Sequence, residues 1–189
     1  LASKACLVSG AGLLYGVVVE NIKSVVSLLL PEAIFYSKGR DYIDPSFADF
    51  VLKTGIRFDL MLIGPGLGRV QKVRDAVYSI LKKLKVPCVV DADAINSLCG
   101  RDLSLFKNIP SIFTPHSGEA DRFAGCIGAS GAVRIAKMID GVCVLKDFET
   151  YISDSRDLFK YSSPNSALSK AGSGDVLGGI IAGIWAQIG

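Results

Sequence analysis

Histidine is almost missing from this sequence: of 189 residues only His116 is one. A zinc site built on histidines, or a nucleophile paired with a second histidine, has no material to work with. Paired-cysteine motifs are missing as well. The cysteines are Cys6, Cys88, Cys99, Cys126 and Cys143, odd in number and without CxxC spacing. Most sit in apolar runs such as Pro87-Cys88-Val89-Val90, so they read as small buried hydrophobes of a reducing compartment, and a cytoplasmic location is expected. No apolar run is long enough to span a bilayer, and no secretory signal pattern is visible. Charge of one sign is lacking too, with Lys and Arg at 21 against Asp and Glu at 18. The densest basic group, Lys82, Lys83 and Lys85 beside Leu81 and Leu84, reads as the solvated face of a helix. Without a basic stripe interleaved with aromatics, nucleic-acid binding is not expected, whereas a mild positive balance suits anionic small molecules.

What the sequence has is apolar residues, at 50%, and 20 glycines against 7 prolines, several of the glycines in clusters. One domain with its own core is expected over residues 1–189, with no repeat, low-complexity segment or linker dividing it. The chain opens at Leu1, and Ala2 to Ser9 reads as the end of a helix closed by Gly10, so an upstream segment is expected. Short β-branched runs alternate with helical patterns, the signature of βαβ units on a mainly parallel, doubly covered sheet. The expected strands are Leu14 to Val19, Ala33 to Tyr36, Asp59 to Ile63, Cys88 to Asp91, Ser111 to Thr114 and Val142 to Lys146. The expected helices are Asn21 to Leu30, Phe47 to Thr54, Val70 to Leu84, Gly118 to Ala124 and Ala132 to Ile139. Thr150 to Ser153 and Leu158 to Tyr161 read as an antiparallel hairpin on one sheet edge. Gly174 to Gln187 is apolar almost all round and predicts a helix buried at the centre of the domain.

In open parallel sheets ligands sit beyond the carboxyl ends of the strands. Four segments follow such ends: Gly64-Pro65-Gly66-Leu67-Gly68-Arg69, Asp91-Ala92-Asp93-Ala94-Ile95-Asn96, Thr114-Pro115-His116-Ser117-Gly118-Glu119, and Lys146. All are expected to face one crevice. The glycine turn suits either close approach of a ligand or a tight strand-to-helix loop, and by itself does not choose. Asp93 is expected to cap the helix that follows it, with Asp91 left open. Glu119, in a first helical turn, is a dipole partner or an orderer of the water shell of a magnesium ion. The strongest signal is Ala171-Gly172-Ser173-Gly174-Asp175 running into an apolar helix. Free amides at a helix N-terminus make a hole for a phosphoryl group, and Asp175 beside it can take a proton from an attacking hydroxyl. Capping alone explains an acid there, but not two glycines and a serine before it.

The Gly64, Asp91 and Thr114 segments and the run from Ala171 to Leu177, with Ser9-Gly10-Ala11-Gly12-Leu13 ahead of them, resemble the NAD(P)H-hydrate dehydratases of the ribokinase-like superfamily, in order and over nearly the whole chain. The resemblance implies a three-layer α/β/α sandwich with a mainly parallel sheet and an antiparallel edge hairpin. It implies that ADP or ATP drives water from the S-form of NADH or NADPH hydrate, restoring the cofactor. Asp175 would activate the ring hydroxyl. Gly66 and His116 would contact the hydrate, with Asp91 and Asn96 in the same crevice. Gly172, Ser173 and Gly174 would hold the phosphoryl group. Lys146, Asp147, Phe148, Glu149 and Thr150 would border the nucleotide, and Glu119 would meet Mg²⁺ through water. A homo-oligomer is implied, with an NAD(P)H-hydrate epimerase as fused or separate neighbour.

Three departures stand out. Lys146-Asp147 replaces the usual Lys-Gly, which brings a carboxylate near the polyphosphate. Ser117 replaces a usual proline. The family's first strand with its substrate loop, and a closing helix, would lie outside this sequence. The main alternative is a small-molecule kinase of the same superfamily, acting on a hydroxymethylpyrimidine or hydroxyethylthiazole; such kinases usually carry asparagine where His116 stands. Another is a nucleotide-binding module without turnover.

Overall fold

Strands and helices alternate along the chain because short apolar runs bounded by turns alternate with segments whose apolar residues recur at three and four spacing. In the structure, a computed structural model, residues 1–53, 57–162 and 170–188 are described. Helix α1 (Ala2–Val8) precedes β1 (Tyr15–Val18), α2 (Glu20–Leu29), β2 (Ile34–Ser37) and α3 (Ser46–Lys53). Then come β3 (Met61–Ile63), α4 (Gln71–Lys83), β4 (Cys88–Val90), α5 (Ala92–Leu98), a 3-10 turn (Ser104–Asn108) and β5 (Ser111–Phe113). The chain continues with α6 (Ser117–Ala124), α7 (Gly128–Ile139), β6 (Val142–Leu145), β7 (Thr150–Ser153), β8 (Leu158–Tyr161) and α8 (Ser173–Ile188). Thr54, the expected end of α3, and Gly189 lie outside the described residues.

The fold is α/β, and the main sheet runs in the order β3-β4-β5-β6-β7-β8. Strands β3 to β6 are parallel, with Ile63 opposite Val90 and Val90 opposite Phe113. β7 and β8 then reverse direction as the expected edge hairpin. β4 is buried at all its positions, as a strand covered on both faces should be. One expectation needs correcting. β1 and β2 pair with each other as a separate two-stranded parallel ribbon, Tyr15 opposite Ile34, and among the described residues do not join the ladder of the main sheet. Apolar alternation marks a strand but not its neighbour, so sequence pattern could not distinguish one sheet from two. The core includes the α4 side chains Val73, Val77 and Leu81 and the rings of Phe106, Phe113 and Phe123, the first two meeting edge to face and the last tilted against Phe113.

Helix α8 is also not the central buried helix that its composition suggests. Its buried positions are the small residues Gly178, Gly179, Ala182 and Gly183, while Ile180, Ile184 and Ile188 are exposed. All-round apolarity leaves undecided which face is covered; the small residues decide it, because only there can another backbone come close. A Cβ on Gly179 would overlap the carbonyl oxygen of Ala2, and one on Gly183 would lie 2.5 Å from the carbonyl oxygen of Cys6. α1 therefore lies directly on the glycine face of α8.

Two outcomes test this packing. Gly179→Ala should lower stability to urea unfolding by about 1–3 kcal/mol, as overpacking against an immovable backbone does, while Gly12→Ala, which meets no atom within 4 Å, should stay within about 0.5 kcal/mol. Equal small effects at both positions would mean that α1 does not rest on α8. Burial also pushes the Cys88 and Cys143 thiols up to about 12. Iodoacetamide at pH 8 should leave both unmodified in the folded protein and label both in urea; rapid labelling of the native chain would contradict the core described.

Candidate active site

Because β3 to β6 are parallel and in register, the residues after their last turns of ladder emerge along one edge. The backbone keeps that alignment past the strands. Asp91 N–H donates to Ile63 O at 3.0 Å, Thr114 N–H to Val90 O at 3.1 Å, and Lys146 N–H to Pro115 O at 2.8 Å. An isolated parallel bridge then joins His116 to Lys146. Asp91, His116 and Lys146 thus stand side by side at the carboxyl edge.

Two of them form an ion pair. Lys146 Nζ donates to Asp91 Oδ1 at 2.8 Å, the Asp91 side chain being only 1% exposed and that of Lys146 22%. α8 closes over the pair with glycines one turn apart on one face. A Cβ on Gly174 would sit 3.2 Å from Lys146 Nζ, and a Cβ on Gly178 would sit 3.5 Å from Asp91 Oδ2. Asp175 lies in the first turn of this helix. Ser173 N–H donates to Lys170 O at 3.2 Å and Val176 N–H to Gly172 O at 3.0 Å, while the amides of Gly174 and Asp175 between them have no backbone acceptor among the described residues. An ammonium and amides without a backbone acceptor among the described residues therefore lie at the helix turn that also carries Asp175, an arrangement suited to an anion.

The glycine turn has a divided role. Gly64, at φ 136°, passes so close to the Asp91 carbonyl that any Cβ would overlap it, so glycine is required there by packing. Gly68 N–H donates to Asp93 Oδ2 at 2.9 Å, and Arg69 Nε to Asp93 Oδ1 at 3.0 Å. Asp93 does not cap α5, as expected from sequence; the N-cap is Asp91, without a side-chain cap bond, and Asp93 reaches back to the glycine turn instead. Its carboxylate gains an amide and a guanidinium there, which outweighs a single cap. Gly66, at φ 70°, and Gly68, at φ 81°, have no atom within 4 Å of a Cβ position, so the turn is open at both.

His116 is the N-cap of α6. Gly118 N–H donates to His116 Nδ1 at 3.0 Å, and His116 N–H donates to Glu119 Oε2 at 3.0 Å. With Nδ1 accepting, the neutral imidazole carries its proton on Nε2, which lies 3.5 Å from Glu119 Oε1. Glu119 is 4% exposed and belongs to a capping box, so the dipole-partner reading describes its present contacts. Among the described residues no group of three or more His, Cys, Asp or Glu side chains could hold a metal ion.

The unusual residues Ser117 and Asp147 meet each other: Ser117 Oγ donates to Asp147 Oδ2, and Phe148 N–H to Asp147 Oδ1 at 2.7 Å. These two bonds, the Ser117 hydroxyl first, hold the Asp147 carboxyl below the usual carboxylate range. Its charge is thereby tied to the next loop. Glu149 turns the other way, taking Lys160 Nζ and Tyr151 OH at 2.8 and 2.7 Å, and so anchors the edge hairpin. Thr150 opens β7, and Phe148 stands 75% exposed beside them. Asn96 faces α6: its Oδ1 accepts from Arg122 Nε at 2.9 Å and its Nδ2 donates to Ala92 O at 3.3 Å. Sequence reasoning missed the Asp91–Lys146 pair, although strand-end placement had brought both residues to one edge. It missed the Ser117–Asp147 contact and the Arg122 partner too, for which 30-residue and 26-residue separations left no local signal.

Known proteins share this arrangement of elements. A family profile described as NAD(P)H-hydrate dehydratase matches residues 1–188. The bifunctional NAD(P)H-hydrate repair enzyme Nnr of Moorella thermoacetica is 33% identical over 99% of this chain, which spans 38% of that enzyme. Among solved structures, a ribokinase-like superfamily protein from Enterococcus faecalis superposes with a TM-score of 0.82 at 27% identity, over 98% of this chain and 65% of that one. The ADP/ATP-dependent NAD(P)H-hydrate dehydratase of Bacillus subtilis, co-crystallized with ATP/Mg²⁺, superposes with a TM-score of 0.76 at 31% identity, over 96% of this chain and 66% of that one. A hydroxyethylthiazole kinase from Pyrococcus horikoshii, at 14% identity and a TM-score of 0.60 over 98% of this chain and 76% of that one, shares the fold alone. A profile match over residues 1–188 and a relative 33% identical over 99% of this chain, on a ribokinase-like sheet, make this chain a member of the NAD(P)H-hydrate dehydratase family.

Proposed function

We propose that this domain carries out the dehydration of NADH or NADPH hydrate, driven by ADP or ATP. The observation that carries the reading is the N-terminus of α8, whose first turn holds Asp175, whose Gly174 and Asp175 amides have no backbone acceptor among the described residues, and against which the Lys146 ammonium lies at Gly174. In this reading Asp175 takes the proton of the ring hydroxyl, whose oxygen attacks the terminal phosphoryl group. The shorter nucleotide leaves, as AMP from ADP or as ADP from ATP. The C–O bond of the phosphorylated ring then breaks, phosphate departs and the ring double bond forms with loss of the neighbouring proton. The amides and the ammonium serve the first step by offsetting negative charge on the transferring group. Gly66 and His116 form the hydrate side of the crevice, and the segment from Lys146 to Thr150 forms the nucleotide side, with the exposed Phe148 ring at its rim.

Magnesium fits this site as an ion carried in on the nucleotide. Mg²⁺ keeps most of its waters and needs only one or two carboxylates besides phosphate oxygens. Glu119 Oε1, the oxygen of that carboxylate not bonded to the His116 amide, is the group that would meet its water shell. Bound there, the ion would neutralise charge on the polyphosphate. A kinase acting on a small alcohol could use the same Asp175, and the assay separates the two by whether hydrate is consumed.

In the full-length protein, recovery of absorbance from NADH hydrate with Mg²⁺ and ADP or ATP should be fast, and Asp175→Asn should slow it by about 10²–10⁴-fold without shifting the unfolding midpoint by more than a degree or two. No recovery by a folded parent would sink the reaction; recovery undiminished in the variant would sink the base.

A further inference from the structure

The Asp91 carboxylate has no oxygen to offer a ligand. Oδ1 is bonded to Lys146 Nζ at 2.8 Å, Oδ2 lies under α8 beside Gly178, and the side chain is 1% exposed. Only the partner lysine reaches the crevice. That lysine occupies a position its surroundings disfavour, since its ammonium lies 3.2 Å from the Cβ position of Gly174, at the positive end of the α8 dipole. A free lysine has four rotatable bonds and would swing its charge outward into water. The buried carboxylate is what keeps the cation there, against the helix dipole and against its own conformational freedom.

We infer that Asp91 is the positioning residue of the nucleotide site: it touches no ligand and fixes the Lys146 ammonium at the mouth of the α8 amides, where an incoming polyphosphate oxygen meets both. The inference rests on the nucleotide reading above. Gly174 belongs to the same device, because a side chain there would crowd the ammonium, while a Cβ on Gly178 would only touch the carboxylate. His116 and Thr114, on the neighbouring strand end, make no bond to the pair among the described residues.

The test is equilibrium binding of ADP, ATP and inorganic pyrophosphate, each with Mg²⁺, to the full-length protein, alongside steady-state kinetics with NADH hydrate. The variants are Asp91→Asn, Lys146→Gln and the double variant. Each single variant should weaken nucleotide and pyrophosphate binding by about tenfold or more, with the KM for the hydrate within about twofold of the parent. The double variant should bind no worse than Lys146→Gln alone, because Asp91 acts only through the lysine. Losses that multiply in the double variant would overturn the inference by showing an independent contact. Unchanged or tighter nucleotide binding by Asp91→Asn would overturn it as well, since Asp91 would then merely compete with phosphate for the cation. Should Asp91→Asn fail to fold, comparing Lys146→Gln with the double variant still decides. A parent that binds nucleotide yet restores no NADH defeats the dehydratase reading while leaving Asp91 to be judged on binding; a parent that binds no nucleotide or pyrophosphate defeats both.

Discussion

A carboxylate taken out of water must be answered by a cation, and in this domain the answer comes from another strand end. Asp91 ends β4, Lys146 ends β6, and β5 runs between them. For the pair to close, three strands must be in register, both chains must leave the sheet on the same side, and the helix above must carry no side chain where the pair sits. Each requirement is met by a separate piece of sequence. β-branched runs set the strands, Gly64 lets the chain pass beneath Asp91, and Gly174 and Gly178 clear the space above. Deleting Lys146 would leave the Asp91 charge buried and unpaired, a penalty of about 3–5 kcal/mol, whereas deleting Asp91 would leave a partly exposed lysine that can turn to water.

Charge is distributed around that pair so that its neighbours do not interfere. The Asp93 carboxylate turns to Arg69 and the Gly68 amide, Glu119 turns to the His116 amide, Glu149 to Lys160, and Asp147 to Ser117. Four acids lie near the carboxyl edge of the sheet, and each is tethered to a donor of its own. Asp147 illustrates the point. From sequence it stands as an obstacle to polyphosphate, yet its oxygens are held by a hydroxyl and an amide in the loops that flank His116 and Lys146.

What sequence made legible was whatever local pattern can carry. The strand runs, the edge hairpin and the placement of motifs at strand ends follow from periodicity and from the geometry of parallel sheets. The four site segments do come to one edge, and the family resemblance on those segments agrees with the profile match along the chain. What escaped was pairing at a distance. Asp93 looked like a cap because capping is a contact between sequence neighbours, whereas its actual partners are Gly68 and Arg69, 25 and 24 residues earlier. Helix α8 looked central because hydropathy counts side chains and is blind to a face defined by their absence. β1 and β2 were legible as strands but not as a ribbon apart, since nothing in a strand names its partner.

That glycine face makes α8 dependent on its neighbours. α8 holds glycine at positions 174, 178, 179 and 183, each costing a helix about 1 kcal/mol relative to alanine, so the segment has little tendency to coil on its own. It becomes a helix when α1 and the strand edge supply the surface that those glycines fit. The amides at its first turn therefore owe their position to packing made elsewhere, by α1 and by the ends of β3 and β4. A change in α1, which touches no ligand in the proposed reading, would then be felt at the proposed phosphate site through those glycines.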